Sequence, residues 1–477
     1  MPLRKILSQY VIVLFFSQFF WACAPDLTQK EVSDATPETF IDSRDTTNTA
    51  RVNWRKYFAD PNLITLIDSA LMNNQELNIT LQEIEIARNE IRARKGEYLP
   101  FVGLRAAAGV DKVARYTSKG SSEATTDIRP GQETPEPLQD YMGGAFASWE
   151  VDIWNKLHNA KNAAVNRYLA SIEGKNFMIT NLVAEIANAY YELLALDNEL
   201  AIVQQNIEIQ TDALKIVRLQ KESARVTELA VRRFEAQVLN TRGLQYGIQQ
   251  SITEMENYLN FLIGRYPQPI QRDPQIFNTL VPDTIQSGIP SQLLINRPDI
   301  RQAEKNLAAA RLDLKAARAN FYPSLGISAG LGFRAFNPDY LLKTPESLLY
   351  SIAGDLTAPL INRNAIKATY YSANAMQIQA VYNYERTILN AYIEVANQLS
   401  MIRNMKLTFD LKFQEVQTLN QSVTIANNLF RSARADYMEV LLTQRDALES
   451  RFDLIETKKQ QINAMVNIYH ALGGGWN

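Results

Sequence analysis

The 477-residue chain holds a single cysteine, Cys23, and two histidines, His158 and His470. One cysteine cannot close an internal disulfide, so the fold must stand without one. The histidines lie far apart, with no Cys, Asp or Glu at metal-ligand spacing beside them, which leaves no metal site. An excess of charge of one sign is also missing: 49 basic residues face 51 acidic ones. With no basic stripe interleaved with aromatics, nucleic acid is excluded as a partner. Neither a nucleophile elbow nor a Walker-type loop occurs. The glycines of GISAGLGF (Gly326–Phe333) miss the dinucleotide spacing and lead into alternation rather than a helix. The Gly473–Gly475 run reads as a helix stop. Catalysis therefore has no candidate residues, and no cofactor is expected. Past Cys23 no apolar run of about 20 residues exists, so any later membrane crossing must be made by strands.

The N-terminus carries a positive signal. Arg4 and Lys5 precede an apolar run from Ile6 to Ala22, the layout of a secretory signal over residues 1–22. Cys23 stands where that run stops, behind the small residue Ala22. This layout resembles a bacterial lipoprotein signal. The resemblance implies that Cys23 becomes the first mature residue and carries a diacylglycerol and an N-acyl chain. An ordinary signal peptide with an incidental cysteine is the other reading.

The chain is also duplicated. Asn73–Leu104 lies on Asn296–Ile327 without a gap, so that Pro100 meets Pro323 and Gly103 meets Gly326. Each copy runs through a helix, a proline, an alternating segment, a turn-rich loop, a second alternating segment and a long helical region. Repeat one is placed at 71–264, with a β-hairpin over 101–154 and a helical hairpin over 161–262. A proline-rich linker at 265–290 excludes a continuous helix there. Repeat two follows at 291–472, with a β-hairpin over 324–361 and a helical hairpin over 365–472. Residues 23–70 form an N-terminal collar and 473–477 a tail.

In the hairpins, Val102, Leu104, Ala106, Ala108 and Val110 share one face, as do Ala145, Ala147, Trp149 and Val151. Leu325, Ile327, Ala329, Leu331 and Phe333 repeat the pattern, followed by Tyr350, Ile352, Leu356, Ala358 and Leu360. Period two over ten or so residues suits barrel strands between lipid and a wet lumen, and also a soluble β-sandwich. Secretion and the lipid signal favour the membrane. Four strands cannot close a membrane barrel, for which about eight is the minimum, so several chains must combine.

The helices give an independent indication. Leu193, Leu200, Ile207 and Leu214 recur every seven residues, and Ala195, Ile202, Ile209 and Ile216 form a second stripe. Two positions along a helix is about 200° around it, so the stripes are opposed. A helix with two apolar seams has neighbours on both sides, like a stave in a ring. Glu199, Asn206 and Gln220 are expected on a polar face between them. The helices should reverse at SARVTE (Ser223–Glu228) and SARADY (Ser432–Tyr437).

The segments WEVDIWNK (Trp149–Lys156), NRPDIRQAEKNLAAAR (Asn296–Arg311), FYPSL (Phe321–Leu325), YMEVLLTQR (Tyr437–Arg445) and ALGGGW (Ala471–Trp476), in this order and duplicated setting, resemble TolC-like outer-membrane efflux proteins of the lipidated NodT-type branch. The resemblance implies a mostly α fold with membrane β. In it, a homotrimer forms a twelve-stranded outer-membrane β-barrel continuous with a periplasmic α-helical barrel. It also implies passive export through a tripartite system, with a periplasmic adaptor and an inner-membrane pump of the resistance-nodulation-division class. Arg434, Asp436 and Tyr437, with Arg225 and Glu228 in copy one, fall near that family's periplasmic gate. Where the family often has glycine at this turn, Ser223 and Ala433 stand here. A secreted, lipid-anchored coiled-coil adaptor or scaffold is the rival reading, and it leaves the two apolar-faced hairpins unexplained.

Overall fold

Asp60 starts the first regular helix by accepting the N–H of Asn62, with Pro61 in the first turn of α1 (Pro61–Asn73). Asn74 joins α1 to α2 (Gln75–Glu97). Its Oδ1 accepts from the Leu77 amide at 2.9 Å, and its Nδ2 donates to the Leu262 carbonyl at 2.8 Å. The coordinates, a computed structural model, describe residues 24–33, 35–40, 47–280, 286–432 and 434–476. Four strands and five helices follow: β1 (Phe101–Asp111), β2 (Leu138–Val151), α3 (Lys156–Glu222), α4 (Glu228–Ile263), then α5 (Pro298–Ala319), β3 (Ser324–Ala335), β4 (Leu348–Thr357), α6 (Asn364–Arg431) and α7 (Tyr437–Ala471). Each helical hairpin starts a few residues from where periodicity placed it, and α3 begins at Lys156 rather than 161.

The strands form one antiparallel sheet in the order β1-β2-β3-β4. Its register decides the faces. Leu104 lies opposite Ala145, Ala145 opposite Leu331, and Leu331 opposite Tyr350. The next row is Val102, Ala147, Ala329 and Ile352. Directly opposed residues share a face, so one face is apolar or glycine apart from Gln139, which lies opposite Val110 at the end of the sheet. Leu104 is 91% exposed, Ile352 82% and Tyr350 77%, exposures that an aqueous sheet would not tolerate in rows. The other face carries Arg105, Asp140, Glu150, Arg334 and Asp355. There the strands come close together: a β-carbon on Gly332 would lie 2.5 Å from the Gly143 carbonyl oxygen and 2.7 Å from Gly144 Cα.

Three expectations need correction. β2 begins at Leu138, six residues before its alternating core, because Asp111 pairs with Leu138 and extends the ladder. The loop between β1 and β2 is structured, with a short helix (Ser118–Glu123) and a small ladder of Asp127–Arg129 with Gln132–Glu133. Ala358 and Leu360 lie beyond β4, which ends at Thr357 ahead of Pro359.

The described residues divide into two compact units that cut across the sequence repeats. One gathers Glu85–Leu169 and Lys305–Tyr382 with the N-terminal stretch to Glu31. It contains the sheet and a cluster of Ala24, Leu314, Ala317, Phe321 and Tyr370. The other holds Val32–Ile84, Ala170–Glu304 and Asn383–Asn477. Its larger core includes Leu63, Ile67, Ile186, Tyr190, Leu193, Leu259, Ile263 and Tyr469. Arg272, from the proline-rich linker, pairs with Asp197 and Glu256 at 2.5 Å each and ties that segment to α3 and α4.

On α3 the first seam is only partly covered within the chain: Leu193 and Leu214 are buried, whereas Leu200 and Ile207 are half-buried. In the second, Ile202 and Ile216 are half-buried and Ile209 remains 43% exposed. Asn206, expected on a polar face, is buried, and its Nδ2 donates to the Ile202 carbonyl at 2.9 Å. Heptad arithmetic misplaces it because hairpin packing is wider than a two-position stripe.

Candidate functional site: the helical reversals and the helix–strand junctions

α3 ends in a Schellman turn. The Ala224 amide donates to the Lys221 carbonyl at 3.0 Å and the Arg225 amide to the Gln220 carbonyl at 2.9 Å. The left-handed residue is Ala224, with φ 56°. The copy-one glycine substitute is thus Ala224 and not Ser223, while residue 433 lies outside the described residues. In copy two the Arg434 amide donates to the Leu429 carbonyl at 2.9 Å, the same outer bond. Arg225 and Arg434 therefore occupy one position in two equivalent turns.

Past the turns, Thr227 and Asp436 are the N-cap residues of α4 and α7. Asp436 accepts the Met438 amide at 3.3 Å, whereas Thr227 makes no side-chain cap. The copy-one counterpart of Asp436 is accordingly Thr227, and Glu228 matches Tyr437. Glu228 bridges two helices, 3.2 Å from Lys221 and 2.9 Å from Arg232. The Lys221 ammonium, then Arg232, holds its carboxyl below the usual range. Tyr437 packs on a cluster of Leu214, Val217, Val231, Phe234, Ala426 and Val440 that brings the two reversals side by side. Arg225 and Arg434 are exposed, and neither has an ion-pair partner among the described residues.

At the other junction, Pro100 immediately precedes β1 and Pro323 immediately precedes β3. Two indoles hold these entries, a role the sequence did not reveal. Trp149 Nε1 donates to the Tyr98 carbonyl at 3.0 Å, and Trp154 Nε1 to the Pro323 carbonyl at 2.7 Å, with Trp154 stacked on Tyr322. Asp152 starts α3 by accepting the amides of Leu157 at 3.0 Å and His158 at 2.8 Å. Cys23 lies outside the described residues; its neighbour Ala24 is buried against Phe321, two residues before Pro323.

His470 also gains a partner that spacing could not show: Nε2 is 2.6 Å from Asn181 Oδ1. Burial pushes its imidazole below the ordinary value, so the neutral ring donates there. Among the described residues no group of three His, Cys, Asp or Glu could hold a metal ion. No described helix is long and apolar enough to cross a membrane.

A sheet with one predominantly apolar face, joined to helices of 67 and 68 residues, defines a class of outer-membrane channel. The chain matches the family described as outer membrane efflux protein over residues 66–265 and 289–474, and it belongs to that family. It is 27% identical over 423 residues to the pyoverdine export outer membrane protein OpmQ of Pseudomonas aeruginosa, covering 89% of this chain and 87% of the relative. It is 26% identical to the probable outer membrane lipoprotein SilC of Salmonella typhimurium, covering 89% and 88%. A crystal structure of CusC matches with a TM-score of 0.81 at 24% identity, covering 95% of this chain and 99% of the other. The fold is the mostly α, membrane-β fold of the trimeric channels, and the protein is an outer-membrane efflux channel.

Proposed function

We propose that three copies of the chain close one passive duct, each giving four strands to a twelve-stranded barrel and its long helices to a periplasmic barrel. The register carries this reading: one face is predominantly apolar across the sheet, and the end strands β1 and β4 find no further strand among the described residues. Exposed apolar residues on the helices, among them Ile209, Leu407 and Leu411, supply seams for neighbouring copies. The duct carries out no reaction of its own. An inner-membrane pump of the resistance-nodulation-division class supplies the energy, and a periplasmic adaptor meets the helical reversals.

Arg225, Glu228, Arg434, Asp436 and Tyr437 are the gate candidates, because three copies turn one side chain per chain into a ring. Cys23 carries the lipid. Burial of Ala24 beside the entry to β3 supports this, since it holds the start of the mature chain near the membrane strands. The domain division stated for the sequence is kept, with signal, collar, two repeats and linker. The full-length protein, extracted in detergent, should migrate unboiled as a trimer and give discrete conductance steps in planar bilayers. A soluble monomer without conductance would favour the lipid-anchored scaffold instead.

A further inference from the structure

The residue following the left-handed position of a Schellman turn commonly makes an apolar contact back onto the helix it closes. In this chain that position is arginine in both repeats. Arg225 and Arg434 each give up the contact, and Leu429, which would receive it in copy two, is left 37% exposed. The nearby cations of copy one are already matched: Lys221 and Arg232 by Glu228, and Arg218 by Glu235. Asp436, two residues past Arg434, is engaged in capping α7. The two guanidinium groups are thus exposed, without ion-pair partners among the described residues, and fixed at the backbone by the 2.9 Å bonds from their own amides. Arginine stands at the same position of two equivalent turns, side by side through the Tyr437 cluster, so that two charges are displayed together.

We propose that Arg225 and Arg434 form a recognition surface for carboxylates on the end of the protein that meets these reversals. The proposal rests on the reading of the reversals as an adaptor-docking end, and it adds the partner's chemistry. Three copies would present alternating Arg225 and Arg434 side chains, and guanidinium forks pair with carboxylates in bidentate fashion. The complementary adaptor tip carries Asp or Glu where it touches them, and attraction of this kind raises the association rate in a salt-dependent way.

The test uses the full-length channel in detergent and the purified adaptor of its own system, with affinity measured at low and high salt. The double variant Arg225→Gln/Arg434→Gln, checked for an intact trimer on an unboiled gel, should bind at least about tenfold more weakly and lose most of its salt dependence. Arg225→Lys/Arg434→Lys should recover part of the affinity. Equal binding by wild type and the Gln variant would overturn the arginine proposal and leave the docking reading standing. Absence of binding by the wild-type channel would remove both. Unchanged adaptor affinity with raised conductance would leave the arginines with the gate role alone. Unchanged adaptor affinity with lost binding to phosphatidylglycerol vesicles would assign them to lipid. Either result overturns the proposal.

Discussion

Ala224 adopts φ 56°, a conformation that costs a residue with a β-carbon about 1–2 kcal/mol. Glycine removes that cost but gains freedom in the unfolded chain, so Ala224→Gly should stabilise the turn by about 0.5–1 kcal/mol. Amide exchange over residues 218–230 should slow about two- to fivefold, and faster exchange would show that the turn is not strained. Asp436 presents a different problem, because the cap and the gate candidate share one carboxylate. Asp436→Ala removes both roles and should loosen α7 by about 1 kcal/mol. Asp436→Asn keeps an oxygen for the Met438 amide and removes only the charge. If the charge ring holds the gate, both variants raise leak conductance in planar bilayers; if Asp436 only caps, the Asn variant leaves it unchanged.

Among the elements, the sheet depends on small residues at its wet face. On Gly332 a β-carbon would fall 2.7 Å from Gly144 Cα, while on Gly354 it would meet nothing within 4 Å. Gly354 lies on the apolar face, opposite Ile327. Gly332→Val should therefore abolish the trimer seen on unboiled gels, whereas Gly354→Val should assemble normally. Both outcomes are read on unboiled gels, and normal assembly of Gly332→Val would mean that β2 and β3 can separate without loss. Much of this was legible in the residues: period two located the strands, and heptads located α3. The indoles of Trp149 and Trp154 were not legible as clasps, because their acceptors are backbone carbonyls of Tyr98 and Pro323, distant in sequence. Nor was the burial of Asn206, since polarity says nothing about which neighbour covers a helix face.

For the whole molecule, α3 alone has a contour of about 100 Å at 1.5 Å per residue, against about 30 Å of bilayer hydrocarbon. Most of the helical length must therefore lie in water, whatever the sheet crosses. On this basis the lipid proposed at Cys23 would be an additional attachment beside the barrel. Mass spectrometry of the mature protein should find acyl chains on Cys23 and none on a Cys23→Ser variant, which should still reach the outer membrane as a trimer. An unmodified Cys23 in the wild-type protein would remove the lipid from the proposal.

The order of elements, the duplication, the reversals at residues 223–227 and 432–436 and the apolar strand residues follow from the sequence alone, since periodicity and turn chemistry act between near neighbours. Two features waited for the tertiary structure: the register that joins four alternating segments into one sheet with an apolar face, and the crowding that requires glycine at 332. Each depends on contacts between residues far apart in the chain, which local pattern cannot supply.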